Sequence, residues 1–145
     1  NYSFFDTHKL IKYNTLMANF LDFIGRIFIS ALFLLSAYNK ILNFSGTMNW
    51  MEGFGIPGFL LGPTIALEII LPLLIIIGYQ TKLASTILFL FSIATAFIFH
   101  SDFSNQVEMI AFLKNIGLAG GFIIIAVNGP KDWAIEKKKT KYVRM

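Results

Sequence analysis

Several charged or strongly polar side chains lie inside, or at the ends of, long apolar stretches of this sequence. A charge at the centre of a membrane helix costs about 2.5 to 3.5 kcal/mol on insertion scales, so such residues normally face a protein interior and mark a site. The cations could hold negative charge there, and a carboxyl or imidazole group could move protons. The candidate binding residues are Arg26, Lys40, Glu68, His100, Lys114 and Asn115.

Glu68 is the strongest of these candidates because of its depth. It lies about 13 Å from the nearer end of its apolar stretch, too far for a short side chain to reach water. We expect it to be protonated or paired, with Arg26 or Lys114 as the partner. A purely structural hydrogen bond between helices is the alternative.

Arg26 and Lys40 share one face of the first predicted helix with small residues. This face is predicted to turn toward neighbouring helices, although Arg26 could also pair with Asp22 one turn earlier. The residues of the face recur at alternating spacings of four and three: Arg26, Ser30, Phe33, Ala37 and Lys40.

The last apolar stretch combines Lys114 with a GxxxG pattern at Gly117 and Gly121 on the same face. Small residues allow close helix packing, so we expect Lys114 in a seam between helices. The same pattern could serve self-association or a partner subunit.

His100 is either a candidate proton donor or simply a hydrated residue at the end of a helix. Since only His8 accompanies it, on the predicted opposite side, no metal site is expected.

Four apolar stretches position these residues: 20–38, 59–77, 83–99 and 109–127. As helices they reach about 26 to 29 Å, close to the thickness of the hydrocarbon core of a bilayer. The chain has 145 residues, of which 56% are hydrophobic and only 14% charged, well below a soluble domain. The sequence predicts an all-α transmembrane four-helix bundle, a single domain over residues 1–145.

Two of the connections between spans allow structural predictions. The segment from Gly78 to Lys82 is so short that the helices on either side must be antiparallel neighbours. Between the first two spans we expect a short interfacial helix, with Ser45 as N-cap, Gly53 as its stop and Trp50 as a headgroup anchor. This helix is either a lid over the bundle or a simple connector.

Nine of the twelve basic residues lie in segments that the four spans place on one side. The positive-inside rule therefore predicts that both termini are cytoplasmic. The basic tail, residues 131–145, is interpreted as a topology determinant on the inner leaflet rather than a nucleic-acid site. The lipid bilayer is thus the first predicted partner.

Catalytic motifs such as a nucleophile elbow, a phosphate loop or HExxH are missing, and there is no cysteine. We therefore expect a chain that is not catalytic on its own and has no intrinsic cofactor.

The polar positions, taken in order, resemble the DoxX family. The resemblance rests on Gly25-Arg26, Ser36–Lys40, Phe44–Thr47, Gly55–Pro57, Glu68, Phe99-His100 and Phe112–Asn115. It implies a four-helix protein of a bacterial or archaeal cytoplasmic membrane, related to subunits of quinol oxidation, thiosulfate:quinone oxidoreduction and oxidative-stress assemblies. The six candidate residues match the recurrent polar pattern of the family.

The predicted function is therefore a subunit of a larger membrane oxidoreductase complex. It would bind a quinone, a lipid or a small anion at a polar cluster near the outer side. The alternative is a non-catalytic structural subunit that docks on a larger enzyme through its GxxxG face. A small transporter is a weaker hypothesis because no inverted repeat is detectable.

Overall fold

The computed structural model describes the backbone of residues 4–136 and the side chains of residues 9–136. Within this part of the chain the regular structure is helical, and four helices are long and apolar enough to cross a membrane. The all-α prediction is confirmed, including the short helix between the first two spans. The helices are α1 (Phe4–Leu42), α2 (Phe44–Gly53), α3 (Leu61–Ile77), α4 (Thr81–Phe99) and α5 (Gln106–Asn128), and a 3-10 turn (Gly58–Leu60) precedes α3.

Helix α1 is much longer than the span predicted at residues 20–38. Its 39 residues correspond to about 58 Å, nearly twice the thickness of the hydrocarbon core. Hydropathy locates the part that matches the membrane, but it does not locate the helix end. No proline and only one glycine, Gly25, interrupt the sequence between Phe4 and Leu42, so the helix continues.

The four spans pack as two pairs. The most extensive contacts join α4 to α5 and α1 to α3, and α3 also packs against α4. The connection between α3 and α4 is short, as the sequence predicts, and both Gly78 (φ 72°) and Gln80 (φ 45°) adopt left-handed backbone conformations. We call this end of the bundle the turn end and the opposite end, which carries α2, the α2 end.

Two clusters of buried side chains hold the bundle together. Near the turn end the cluster contains Phe33 of α1 and residues from α3, α4 and α5. Near the α2 end, Met51 of α2 is buried with Ala37, Leu61 and Ile65. Helix α2 is therefore packed into the bundle through Met51 and is more than a surface connector.

The N-terminus of α2 corrects one prediction. The helix begins at Phe44 with Asn43 as N-cap, so Ser45 lies inside the first turn. The backbone N–H of Asn43 still bonds to Asn39 of α1, and the Asn43 carbonyl already accepts from the Thr47 N–H, which starts α2 immediately after α1. Gly53 is the last helical residue, as expected. Of the basic tail, residues 137–145 lie outside the described part of the chain.

Candidate functional site

A cavity of about 420 Å³ lies in the α2-end half of the bundle, between the α1–α3 pair and the α4–α5 pair. All five helices contribute to its lining. Five of the six candidate residues lie on this cavity: Lys40, Glu68, His100, Lys114 and Asn115. Four separate spans thus bring the predicted polar residues to one place, while their role in binding stays a prediction.

An ion pair between α1 and α3 forms one polar wall of the cavity. The ammonium of Lys40 donates to both carboxylate oxygens of Glu68, at 3.0 Å from Oε1 and 2.9 Å from Oε2. The Glu68 side chain is only 4% exposed and that of Lys40 21%. Glu68 is therefore paired, as expected, but the expected partners Arg26 and Lys114 were wrong. Lys40 provides the charge because α1 packs directly along α3.

The hydroxyl of Ser36 completes this wall. It accepts a hydrogen bond from Lys40 and donates to Glu68 Oε1 at 3.5 Å. Ser36 precedes Lys40 by one helical turn, so the two side chains lie on the same face of α1. The ion pair therefore has a third polar neighbour, which reduces the cost of burying two charges.

Helix α5 contributes Lys114 and Asn115 to the opposite wall. Asn115 donates its amide to the carbonyl of Ala111 at 3.1 Å, one turn earlier. Lys114 is exposed at the edge of the cavity rather than enclosed in a seam, which differs from the expectation. Among the described residues, Lys114 has neither a salt bridge nor a side-chain hydrogen bond.

His100 and α2 lie at the α2 end of the cavity. His100 Nδ1 lies 2.6 Å from Glu108 Oε2 at the start of α5, and the Glu108 side chain is 34% exposed. The indole of Trp50 stacks on Phe99 with ring centroids 4.6 Å apart and lies 6.5 Å from the imidazole ring. Because Thr47, Trp50 and Met51 line the cavity, α2 covers its end in the manner of a lid.

The loop after His100 carries additional negative charge. Asp102 accepts hydrogen bonds from both the hydroxyl and the backbone N–H of Ser104. These bonds lower the pKa of Asp102 below its ordinary value because they stabilise the carboxylate form. Together with Glu108, this carboxylate makes the α2 end acidic outside the cavity, whereas the cavity itself contains two ammonium groups and one carboxylate.

The sixth candidate, Arg26, lies at the turn end, away from the cavity. Arg26 is only 1% exposed, and its guanidinium group donates to the carbonyls of Ile75 and Ile76 at 3.0 and 2.9 Å. It also donates to the carbonyl of Trp133 and, at 3.1 Å, to Asp22, which confirms the predicted pairing one turn earlier. Arg26 thus connects α1, the last turn of α3 and the segment that follows α5.

The two glycines of the GxxxG pattern differ in their surroundings. A Cβ on Gly121 would lie 2.6 Å from Ile29 Cδ1, so the α5 backbone lies close to α1 at this point. A Cβ on Gly117 would meet no atom of the described residues within 4 Å. Gly121 therefore packs inside the bundle, and Gly117 lies on an outward face.

Three residues of the site were not among the candidates: Ser36, Glu108 and Trp50. Spacing could have identified Ser36, because it precedes Lys40 by four residues on a predicted helix. Glu108 follows His100 across a loop, and its role depends on a turn that the sequence does not specify. Trp50 was interpreted as a headgroup anchor, and its contact with Phe99 depends on how α2 folds back over the bundle.

The fold and the cavity define a class: a four-span helical membrane protein with a polar cluster enclosed at one end. The DoxX family profile matches residues 21–101, and the chain belongs to the DoxX family. It is 36% identical to the inner membrane protein YqjF of Escherichia coli (strain K12) over 81% of this chain and 91% of YqjF. It is 29% identical to the inner membrane protein YphA of the same organism, over 79% of this chain and 87% of YphA. No solved structure matches the chain.

Proposed function

We propose that this DoxX protein is a subunit of an oxidoreductase complex in a prokaryotic cytoplasmic membrane. Its cavity at the α2 end binds the head of a quinone, a lipid or a small anion. The observation that carries the proposal is the meeting of Lys40, Glu68, His100, Lys114 and Asn115 around one space of about 420 Å³. The naming of both relatives as inner membrane proteins supports the location.

The cavity fits a quinone ring in size and chemistry. Ligand pockets are typically about 300 to 1,000 Å³, mostly apolar, with a few convergent polar groups. Phe33, Phe91 and Leu118 provide apolar wall, and Lys114 and Asn115 provide N–H donors for a carbonyl oxygen. A bound quinone would supply reversible transfer of two electrons and two protons. The role of this chain is to hold the ring and to handle the protons.

His100 and Glu108 are placed to pass protons between the cavity and water. His100 lines the cavity, and its partner Glu108 is 34% exposed at the start of α5. His100 Nδ1 is already within hydrogen-bond distance of the Glu108 carboxylate. Glu68 has a different role from these two residues: its carboxylate neutralises Lys40 and keeps the ammonium oriented toward the cavity.

The test is purification of the chain in mild detergent from its own membrane, with identification of co-purifying proteins and bound quinones or lipids. The matched pair of variants is Glu68→Gln in the cavity and Glu52→Gln on the exposed side of α2. We expect Glu68→Gln to assemble into the complex as the unchanged chain does. The turnover of that complex should fall at least about tenfold, equivalent to about 1.4 kcal/mol. Assembly and turnover both unchanged in Glu68→Gln would remove this residue from the site.

The outward position of Gly117 favours a second candidate function, a structural subunit that docks on a larger enzyme. A small residue on an outward face allows a partner helix to approach closely. Under this hypothesis Gly117→Leu or Lys114→Gln releases the chain from the complex. Under the binding hypothesis Lys114→Gln leaves the complex assembled with impaired turnover, so co-purification separates the two.

A further inference from the structure

The wall of the cavity between α1 and α5 lies between two helices that are not each other's main packing partners. Helix α1 packs chiefly on α3, and α5 packs chiefly on α4. In the turn-end half, α1 and α5 still approach each other where Ile29 lies against Gly121. Toward the α2 end, the cavity-lining residues of these two helices include Leu32, less than one turn beyond Ile29 on α1, and Lys114, about two turns beyond Gly121 on α5.

Leu32 and Lys114 both line the cavity, and both are exposed. Leu32 is 47% exposed, although its neighbour Phe33 on the interior face is only 5% exposed. Lys114 is exposed as well. Both residues lie in helices that are long and apolar enough to span a membrane, so we expect the surface around them to face hydrocarbon, where Leu32 would contact acyl chains as well as the cavity.

We propose that the cavity opens sideways into the bilayer between α1 and α5. Through this opening it takes an amphiphile, an apolar chain with an oxygen-bearing head, rather than a small anion from water. This inference rests on the proposed function, because it concerns the same cavity, and it selects among the ligand classes named there.

The chemistry of the cavity matches both parts of such a ligand. Lys114 is a cation within a membrane-spanning helix and has no carboxylate partner among the described residues, whereas charges in such positions normally pair with another charge or with backbone carbonyls. A head-group oxygen would provide the missing acceptor. The chain of the ligand would extend past Leu32 into the bilayer, whereas a hydrated anion would have to lose water against the apolar walls.

The sequence has no cysteine and only two tryptophans, Trp50 and Trp133, so single sites can be labelled through an introduced thiol and followed by the fluorescence of one tryptophan. The variant Trp133→Phe leaves Trp50, in the cavity wall, as the sole fluorescent reporter. Leu32→Cys in that background is labelled with a bulky thiol reagent in detergent and reconstituted into liposomes. The matched control is labelled Leu35→Cys, since Leu35 is 59% exposed but does not line the cavity.

A benzoquinone with a ten-carbon side chain serves as the quenching probe, and dodecanoate and inorganic phosphate serve as competitors. We expect saturable quenching of Trp50 that inorganic phosphate does not reverse. The label on Leu32→Cys should slow its onset at least about tenfold relative to unlabelled protein, or about 1.4 kcal/mol in the barrier. The label on Leu35→Cys should leave the rate unchanged. Reversal by dodecanoate would assign a general lipid ligand, and resistance to it would assign a quinone.

Equal onset rates in the two labelled proteins would overturn the sideways route while leaving the proposed function in place. So would a smaller final extent of quenching at an unchanged rate, because the label would then fill the cavity without guarding its entrance. Reversal by inorganic phosphate would overturn the amphiphile class. Failure of the benzoquinone to quench Trp50 saturably would overturn both the route and quinone binding by the cavity.

Discussion

The pair formed by Lys40 and Glu68 is the most consequential contact at the scale of single residues. Removing one partner of a buried ion pair leaves the other charge without compensation, which typically costs about 3 to 5 kcal/mol. We therefore expect Glu68→Ala to lower the free energy of unfolding by about that amount, measured by thermal or denaturant unfolding in detergent.

The double variant Lys40→Met, Glu68→Leu is the control, because it removes both charges and keeps apolar volume. It should recover most of the stability lost in Glu68→Ala. If the double variant is as unstable as Glu68→Ala with Lys40 intact, the two charges do not interact in the way the 2.9 Å distance implies.

Arg26 gives the second prediction at this scale. It donates to Asp22 and to three carbonyls, of Ile75, Ile76 and Trp133, an arrangement that suits the planar fork of a guanidinium group. Arg26→Lys keeps the charge but cannot reach all four acceptors. We expect it to destabilise the protein by about 1 to 3 kcal/mol. Binding of the quinone probe at 25 °C should stay normal because the cavity lies elsewhere, and a loss of binding in a folded variant would contradict this separation.

At the residue scale, the sequence could predict which polar groups need partners but not which partners they have. Depth along a span showed that Glu68 requires compensation. The choice among Lys40, Arg26 and Lys114 depends on which helices are neighbours and on their relative rotation. Hydropathy does not encode either quantity, so the two expected partners were both wrong.

The connection between α3 and α4 provides a prediction at the scale of elements. Gly78 has φ 72°, and a Cβ there would lie 2.7 Å from the Ala134 backbone and 3.0 Å from Arg26 Nη1. Gly78→Ala should therefore destabilise the protein by more than the roughly 1 to 2 kcal/mol of a left-handed non-glycine residue. The unfolding midpoint in detergent measures this effect.

Gly25→Ala is the matched control for that substitution. Gly25 lies inside α1, and a Cβ there meets nothing within 4 Å among the described atoms. Alanine favours a helix interior by about 0.5 to 1 kcal/mol over glycine, so this variant should be slightly stabilised. Similar losses of stability in both variants would mean that the conformation of Gly78 is not what matters.

Element types were predictable from the sequence, whereas several ends were not. Long apolar stretches admit only one structure in lipid, so the four spans followed directly from hydropathy. The start of α2 depends on a hydrogen bond from Thr47 to the Asn43 carbonyl, which competes with a cap at Ser45. The extra length of α1 depends on helix propensity outside the membrane-matched part, to which a hydropathy pattern is insensitive.

For the whole molecule, the distribution of basic residues predicts that the turn end faces the cytoplasm and the α2 end faces outward. The cysteine-free sequence allows a direct measurement with Ser101→Cys, in the loop at the α2 end, and Gln80→Cys, in the turn. A membrane-impermeant maleimide should label Ser101→Cys in intact cells and Gln80→Cys only after lysis. The opposite pattern would reverse the orientation, and with it the side of the membrane on which His100 lies.

The pairing of α1 with α3 and of α4 with α5 also has a consequence for biosynthesis. Each pair consists of consecutive spans, so the chain can enter the membrane as two successive hairpins. The charge on Lys40 is compensated only after Glu68 has been synthesised. The segment up to about the end of α3 is therefore the first that can insert into lipid with this ion pair formed. Because the cavity has walls from both hairpins, it is complete in a newly made chain only when the second hairpin has packed against the first.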